Sequence, residues 1–513
     1  MTRSRGWRWP PLAVAIAIAI AVTSGVVWAL CFGREALAVA PWVALVPFFL
    51  LLGRGRPALT GLLFGLGYWL VAIPWIRPTL ATYGELPDWL ASLGLLAAAG
   101  YLSLYGAAFA VLAARIRRRK PWLAVTGPAA VWVALETLRG IGPLAFPWNL
   151  AAYSVVETPG VLALTAWIGS WGLSFLVVAV NMALTWTIEH RDWRPAAVTM
   201  ASTAALVGLA ALTAGTARST PSGASPDAGP RILLLQPNSP ITAEVDPEVA
   251  RTTYARLIAQ ADEACDEDGP ALLVWPESAA WPFSYQRHGQ LRRDVGELAR
   301  RGCPVLLNST VREGEAAYNS VYLVSGGGAD QRYDKELLVP FGETVPFARW
   351  LPGLRAIART AGGFSPGRGG APLVWGRERL GLSICFEIVF PGKAARQTRR
   401  GATALVTVTN DGWYGDSSAP YQHFRAARFR AAENRRPVFR AAITGISGVI
   451  AAGGSVDQRL GVGERGILAA TVSGGHDLDD LTFFSRFPWL VPVLAWALVP
   501  FAIFRRREST SQV

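Results

Sequence analysis

Three residues at the edges of apolar segments have the chemistry that acyl transfer requires. Cys385 ends the apolar run Leu380–Cys385 in LGLSICFEIVFP and offers a thiol nucleophile. Glu277 lies just past a second apolar run in LLVWPES, and Lys335 lies in RYDKELLVPFGE. A glutamate supplies a base, and a lysine supplies a cation that stabilises an oxyanion. The sequence therefore predicts that Glu277, Lys335 and Cys385 form a catalytic triad for acyl chemistry.

Each of the three residues also has an ordinary structural explanation. A lone cysteine after a strand is usually a small buried hydrophobe. A glutamate at a strand end is often a solvated loop acid or a helix cap, and a lysine is usually a surface cation. The CFE context of Cys385, together with the two partner motifs, favours catalysis over these alternatives.

The segments WPES, YDKELLVPFGE and SICFEIVFP, followed by TNDGWYG, resemble the nitrilase (carbon–nitrogen hydrolase) superfamily. ETLRG followed by FPWN resembles the membrane portion of one branch, the bacterial apolipoprotein N-acyltransferases, so the resemblance covers nearly the whole chain. It implies an αββα sandwich in which Glu277 is the general base and Lys335 the cation beside Cys385. The sequence contains no metal-ligand cluster, and we expect neither a metal nor another cofactor.

Two further acids match positions of the family. We expect Glu343 to hydrogen-bond near the base or the lysine and to tune protonation. Glu387 is expected to orient a loop or a substrate amine, although either acid could instead cap a helix or pair with an arginine. Family members often carry an aromatic residue near the end of QPNSPITAEVDP, where this chain has Val245, so one substrate contact is unassigned.

Aromatic residues follow the proposed catalytic motifs in loops. Phe341, Trp413 and Tyr414 are candidates for the entry path of an acyl chain, and core packing is their alternative role. Asn410 is a candidate substrate contact or a turn residue. Segment 346–354, PFARWLPGL, is amphipathic enough to form a lid that touches the bilayer.

The chain is too apolar for a soluble enzyme of its length. Among 513 residues, 51% are hydrophobic and 17% are charged, and the mean hydropathy is +0.29. Long apolar runs approach the roughly 20 residues that a membrane helix needs. The predicted spans are 11–31, 36–53, 58–77, 89–113, 122–138, 160–187, 195–214 and 488–504. Pro41 and Pro47 interrupt the second span, and Pro128 interrupts the fifth.

The pattern predicts a multi-span α-helical membrane domain plus an α/β nitrilase-like αββα sandwich domain. Residues 1–214 would form the membrane domain of about seven transmembrane helices, and 215–230 a polar linker. Residues 231–487 would form the extracytoplasmic catalytic domain, in which strands and helices alternate. Residues 488–504 would form a C-terminal transmembrane helix before a cytoplasmic tail, 505–513.

The formal net charge of +13 is explained by basic residues in the predicted cytoplasmic loops rather than by a nucleic-acid-binding function. Every second loop between spans is basic, which places both termini in the cytoplasm and the 215–487 segment outside. The extracytoplasmic segment carries further arginines, and on a predicted helix these are expected to form a solvated face, with contact to lipid headgroups as the alternative. They are Arg425, Arg428, Arg430, Arg435, Arg436 and Arg440.

Two residue pairs suggest structural contacts. Glu136 and Arg139 lie near the end of a span, where an i,i+3 ion pair is their simplest role. Cys265 and Cys303 could form a disulfide outside the membrane, but their spacing does not decide whether they do.

The resemblance implies an N-acyltransferase of the bacterial cytoplasmic membrane. It would move a fatty acyl chain from a membrane phospholipid, through a cysteine thioester, to the α-amine of the diacylated N-terminal cysteine of an apolipoprotein. We expect a monomer embedded in the membrane. One alternative is a membrane-tethered nitrilase-like amidase, which would use water as acceptor. The other is a scaffold or transporter with an inactive nitrilase-like domain, but its spans should carry more polar residues than these do.

Overall fold

The computed structural model describes residues 10–35, 37–215, 229–239, 246–268, 270–347, 363–472 and 480–504. Over these ranges the chain forms an apolar helical portion, two six-stranded sheets with flanking helices, and a last apolar helix. Val245, tail 505–513 and most of both the 215–230 linker and the 346–354 segment lie outside the described residues.

The N-terminal portion consists of helices rich in alanine, leucine, valine and glycine. They are α1 (Pro11–Leu30), α2 (Val46–Leu51), α3 (Pro57–Ala72), α4 (Asp88–Ile116), α5 (Pro121–Arg139), α6 (Val161–His190) and α7 (Arg194–Gly215). Among the described residues, four helices are long and apolar enough to cross a membrane, or five if α3 and Ile76–Thr82, bent by 62°, form one span. The count of eight spans therefore stays a prediction.

Proline and glycine account for the irregular parts of this portion. The predicted span 36–53 contains a 3-10 turn, Ala40–Trp42, and the short helix α2, because Pro41 and Pro47 cannot donate backbone hydrogen bonds. Helix α6 is broken at Gly169, whose φ of 65° and ψ of −177° are not helical. The break leaves the N–H of Ser170 available to a partner outside the helix.

The expected pair of Glu136 and Arg139 on α5 is replaced by other contacts in the described part of the chain. Oε1 of Glu136 accepts hydrogen bonds from Nε1 of Trp132 at 2.9 Å and from the N–H of Ala151 at 2.7 Å. The Arg139 guanidinium lies over the Trp69 ring, 4.8 Å from its centroid. Each side chain thus has its nearest polar or aromatic partner outside the pair.

The second portion contains two mixed sheets. The strands are β1 (Arg231–Gln236), β2 (Leu272–Val274), β3 (Val305–Glu313), β4 (Ala316–Val324), β5 (Gln331–Asp334), β6 (Leu373–Trp375), β7 (Glu378–Ile384), β8 (Ala404–Thr409), β9 (Val438–Ala442), β10 (Ser447–Ile450), β11 (Val456–Leu460) and β12 (Gly466–Thr471). The first sheet has the order β12-β1-β2-β3-β4-β5, and the second has the order β11-β10-β9-β8-β7-β6. In each sheet three neighbouring central strands are parallel: β1-β2-β3 in the first and β7-β8-β9 in the second.

Helices cover the outer faces of both sheets. They are α8 (Pro247–Asp268), α9 (Gly289–Arg300), α10 (Pro391–Arg399) and α11 (Ala419–Asn434), and they are followed by α12 (Phe483–Arg486) and α13 (Leu490–Phe504). One apolar core lies between the sheets and includes Ile232 and Val406. A second lies between the first sheet and α8 and α9, and includes Leu257 and Leu298. These layers confirm the predicted αββα sandwich.

Helix α11 joins the sandwich to the N-terminal helices α1 to α7, which we call the membrane portion because four of these described helices are long and apolar enough to cross a membrane. Its apolar residues, including Phe424 and Phe429, belong to the same core as Trp28 and Phe48 of the N-terminal helices. The predicted solvated arginine face is therefore wrong: Arg430 is fully buried, and five of the six arginines named above are largely or fully buried. Because the helix has the sheet on one side and the membrane portion on the other, it has no broad face left for solvent.

Cys265 of α8 and Cys303, just before β3, form a disulfide. The bond links helix α8 to the segment that enters β3, a central strand of the first sheet. Both cysteines are buried against the apolar core that lies under α8 and α9.

Candidate active site

Cys385 lies at the point where β7 ends in the interior of the second sheet. Its φ of 50° falls in the left-handed region, and the 3-10 helix Cys385–Val389 begins at this residue. Such a conformation is sparsely populated by residues other than glycine, and it turns the chain sharply between a strand and a helix. The turn presents the thiol where the two sheets meet, and the residue is 6% exposed.

Glu277 and Lys335 come from the first sheet and meet at this point. Glu277 follows β2, Lys335 follows β5, and both side chains are buried. Nζ of Lys335 lies 3.6 Å from Oε1 of Glu277, and the Glu277 carboxylate also interacts with the Cys385 thiol. The structure thus brings together the three residues that the sequence predicted to be catalytic.

Asn319 and Glu343 hold the base and the cation in place. Nδ2 of Asn319 donates to Oε1 of Glu277 at 2.9 Å and to Oε1 of Glu343 at 3.0 Å. Nζ of Lys335 donates to the same Glu343 oxygen at 2.8 Å, and the N–H of Val339 donates to Oε2 of Glu343 at 2.9 Å. Of the two positions that the sequence left open for Glu343, near the base or near the lysine, the structure has its carboxylate hydrogen-bonded to the lysine, closer than Glu277 is.

Burial and the neighbouring charges set the protonation of the triad. Burial and the Glu343 charge raise the pKa of Glu277, against the opposing effect of Lys335. Burial, and then the Glu277 charge, raise the pKa of Cys385 to about 12. Burial alone would lower the pKa of Lys335, but Glu343 and Glu277 raise it above its usual value. At neutral pH the site therefore holds a neutral thiol beside an ammonium, so the thiol must pass its proton to a base during attack.

Glu387 stabilises the backbone around the nucleophile. Its carboxylate is fully buried and accepts hydrogen bonds from the hydroxyl of Tyr333 at 2.8 Å and from the N–H groups of Glu336 and Ile384, both at 2.8 Å. These contacts tie the loop after Lys335 to the end of β7. The contacts to the loop fit the loop-orienting role. The bond from the Ile384 N–H also makes Glu387 a cap of the 3-10 helix Cys385–Val389, which is another of the roles that the sequence left open.

Asn410, Trp413 and Tyr414 lie in the turn after β8. The N–H of Asn410 donates to Oε2 of Glu277 at 3.0 Å, while its side-chain oxygen accepts from the N–H of Gly412. Tyr414 is buried, and its hydroxyl interacts with Cys385. Asn410 therefore makes a turn and also positions the base through its backbone.

The aromatic candidates divide into a buried residue and two exposed ones. The Tyr414 ring packs edge-on against Trp75 at 4.8 Å and against Trp148 at 5.8 Å, so this side chain belongs to the packing between the sandwich and the membrane portion. Trp413 is 36% exposed and Phe341 is 46% exposed. The carbonyl of Trp413 accepts a hydrogen bond from Oγ1 of Thr79 at 2.7 Å.

The membrane portion comes within one layer of side chains of the nucleophile. The Trp148 ring stacks near Phe386, the residue after Cys385, with centroids 6.5 Å apart. Nε1 of Trp148 donates to Oε1 of Gln422 on α11 at 2.6 Å. The site is thus buried at the junction of the two portions.

Sequence reasoning missed two parts of this site. Asn319 is a buried polar residue on β4, and its signal in the sequence was an amide side chain within a mostly apolar strand. His423 lies on α11, with Nε2 3.0 Å from the Cys385 carbonyl oxygen, and the sequence showed it only as one of four scattered histidines. Across the described residues, no group of three potential metal ligands was found.

Comparison with known proteins relates both portions of the chain to one family. A family model described as the apolipoprotein N-acyltransferase N-terminal domain matches residues 24–183, and one described as carbon-nitrogen hydrolase matches residues 235–475. The chain is 35% identical over 512 residues to an apolipoprotein N-acyltransferase of Geobacter metallireducens, with 96% of each chain covered. It is 32% identical over 476 residues to one of Bradyrhizobium diazoefficiens, which covers 89% of this chain and 87% of the relative.

Solved structures resemble the sandwich portion. Saccharomyces cerevisiae Nit3, a member of branch 10 of the nitrilase superfamily, is 17% identical and covers 51% of this chain and 94% of its own, with a TM-score of 0.38.

Proposed function

The chain belongs to the apolipoprotein N-acyltransferase family, and we propose that it acylates lipoproteins by a ping-pong mechanism through Cys385. Family membership makes it an acyltransferase that associates with the membrane and acts on a lipoprotein. The proposed acyl donor is a membrane phospholipid. The proposed acceptor is the α-amine of the diacylglyceryl-cysteine at the N-terminus of a lipoprotein.

In the first half-reaction, Cys385 takes the acyl chain from the phospholipid. Glu277 accepts the thiol proton while the sulfur attacks the ester carbonyl, and Lys335 stabilises the thiolate and then the oxyanion. When the tetrahedral intermediate collapses, its C–O bond breaks. Glu277 returns the proton to the departing oxygen, which leaves as a lysophospholipid. The raised pKa of Glu277 suits this exchange, because a base with a raised pKa accepts the proton more readily.

In the second half-reaction, the lipoprotein amine attacks the Cys385 thioester. Glu277 accepts a proton from the amine as the C–N bond forms, and the C–S bond then breaks. The proton returns to the sulfur and restores the thiol. Glu343 holds Lys335 in place during both halves through the 2.8 Å contact of its Oε1 with Nζ.

One observation carries this assignment: the nucleophile lies at the junction with the apolar helices. Rings from the N-terminal portion, Trp75 and Trp148, pack against Tyr414, whose hydroxyl interacts with Cys385. Both proposed substrates are anchored in lipid, and confinement to the same plane raises the chance that they meet the site. We further propose a monomer in the bacterial cytoplasmic membrane, with both termini in the cytoplasm and the sandwich on the extracytoplasmic side.

Transfer to a peptide amine tests the proposed reaction against the amidase alternative. The purified protein, in mixed micelles with phospholipid, is given a synthetic diacylated lipopeptide, and the peptide mass is followed. We expect the peptide to gain one acyl group at its α-amine, and a peptide with a blocked amine to gain none. Release of free fatty acid without modification of the peptide would support the hydrolytic amidase and contradict the proposal.

A further inference from the structure

A buried cluster of Asp411, His423 and Arg440 lies beside Cys385 and has no part in the proton transfers proposed above. All three residues are at most 1% exposed. Nη2 of Arg440 donates to Oδ2 of Asp411 at 2.6 Å, and Oδ1 of Asp411 lies 2.9 Å from Nδ1 of His423. Oγ1 of Thr409 also donates to Oδ1 of Asp411 at 2.9 Å. The cluster therefore has little freedom to move.

The imidazole of His423 connects this cluster to the nucleophile. Its Nε2 lies 3.0 Å from the carbonyl oxygen of Cys385, and because a carbonyl oxygen can only accept, Nε2 must carry the hydrogen. The Trp148 ring stacks near the imidazole, with centroids 5.5 Å apart. On the other side of the ring, Nη2 of Arg440 lies 3.1 Å from Nδ1 and can donate to it when the imidazole is neutral. Contacts on the Nδ1 side, the Nε2 side and one face thus fix the ring.

The contact determines the orientation of the peptide between Cys385 and Phe386. In a trans peptide the C=O and N–H groups point in opposite directions. A carbonyl held towards His423 therefore directs the N–H of Phe386 away from the histidine. Phe386 is in the first turn of the 3-10 helix Cys385–Val389, where N–H groups lack partners within the helix.

An N–H in this position has a well-known chemical use. In other strand-to-helix nucleophile turns, the backbone N–H of the residue after the nucleophile binds the oxyanion. The left-handed φ of Cys385, 50°, is costly for a non-glycine residue, so the turn needs contacts that maintain it. The hydrogen bond from His423 is one such contact.

We propose that His423, held by Asp411 and Arg440, is a positioning residue that aims the N–H of Phe386 at the oxyanion of the tetrahedral intermediate. The proposal rests on the acyl transfer proposed for Cys385. As the C–S bond forms, the thiol proton passes to Glu277 and the π electron pair of the carbonyl moves onto its oxygen. This oxyanion then accepts a hydrogen bond from the N–H of Phe386. No bond to His423 forms or breaks.

Two substitutions at His423 test the contacts of its two ring nitrogens separately. In His423→Gln, the amide nitrogen can reach the position of Nε2 and donate to Cys385. In His423→Asn, the shorter amide can still meet Asp411, but it cannot reach the Cys385 carbonyl. His423→Met, which has no donor, is a second variant for the case that the Asn variant does not fold. His190→Met is the matched control, since His190 is exposed at the far end of α6.

The test compares two reactions of the same thiol in the full-length protein in detergent micelles. Acylation by a short-chain p-nitrophenyl ester passes through an oxyanion, whereas alkylation by iodoacetamide does not. We expect His423→Asn to lower the acylation rate constant by about 100-fold, in line with the loss of an oxyanion donor. We expect its alkylation rate to stay within about twofold of the wild type, and we expect His423→Gln to recover most of the acylation.

Several results would overturn this role for His423. They are unchanged acylation in the Asn or Met variant, an equal loss of acylation and alkylation, or a Gln variant as slow as the Asn variant. If the wild type reacts with the activated ester but takes no acyl chain from phospholipid, the proposed function fails. In that case the ratio of acylation to alkylation in the variants still decides what His423 does.

Discussion

Replacing Glu343 with glutamine should slow acyl transfer because it removes a negative charge that acts on both Lys335 and Glu277. In the native site, Oε1 of Glu343 accepts from Lys335 at 2.8 Å, and Oε2 accepts from the N–H of Val339 at 2.9 Å. A glutamine that keeps its oxygen towards Lys335 turns its NH₂ group towards the Val339 N–H, where two donors repel. Lys335 also loses its closer negative partner and is left with Glu277, at 3.6 Å.

The size of the effect follows from the contact that is lost. A hydrogen bond to a charged group contributes about 1.5–3 kcal/mol, and 1.4 kcal/mol corresponds to about a tenfold change in rate. If this stabilisation acts in the transition state, turnover should fall by about 10- to 150-fold. The acid limb of the pH–rate profile should also move to lower pH, because Glu343 raises the pKa of Glu277 and the glutamine does not.

The assay is N-acylation of a diacylated lipopeptide at saturating phospholipid, measured from about pH 5 to 9. Glu336→Gln is a matched control, because it makes the same chemical change one residue after Lys335 in a side chain that pairs with Arg396. We expect a much smaller loss in this control. A Glu343→Gln variant with native turnover and an unmoved acid limb would refute the role given to the Glu343–Lys335 contact.

Three further predictions concern reactivity and stability. With no substrate present, alkylation of Cys385 by iodoacetamide should be slow at pH 7.5 and still rising above pH 9, since its thiol pKa is raised to about 12; a rate that levels off by pH 8 would contradict this. Glu433→Gln should lower the thermal unfolding midpoint. Nε of Arg430 lies 2.8 Å from Oε2 of Glu433, and without this carboxylate the buried guanidinium charge is uncompensated, at a cost of about 3–5 kcal/mol. An unchanged midpoint would contradict this prediction. Replacing both Cys265 and Cys303 with alanine should cost about 2–4 kcal/mol, given the 38-residue separation of the two cysteines, and should leave acylation by phospholipid nearly intact; denaturant unfolding and the acylation assay check both parts.

The three proposed catalytic residues could be read from the sequence because each lies at the edge of a strand-like run. Glu277 follows β2 and Lys335 follows β5, while Cys385 follows β7 on the opposite sheet. Strand ends that face each other across a sandwich bring such residues together, and the motifs also carried the family resemblance. That resemblance is confirmed by relatives aligned over nearly the whole chain.

Other features depend on contacts between distant segments and could not be read from local patterns. The arginines of α11 resembled a solvated face, because the sequence does not show that the helix lies between a sheet and the membrane portion. Arg430, for example, is buried beside Glu433 and Ser170 of the broken helix α6. His423 was unrecognised for the same reason, since its partners Asp411, Arg440 and Cys385 come from three other segments.

The acyl-enzyme on Cys385 is the most direct test of the proposed mechanism. Wild-type protein and Cys385→Ala are incubated with phospholipid in micelles, and their intact masses are measured before and after hydroxylamine treatment. We expect the wild type to gain the mass of one acyl chain and to lose it after hydroxylamine treatment. After digestion, the acyl group should be found on the peptide that contains Cys385. The Cys385→Ala variant should gain no mass. An equal adduct on Cys385→Ala, or no adduct on folded wild-type protein with several phospholipids, would contradict the ping-pong mechanism through this cysteine.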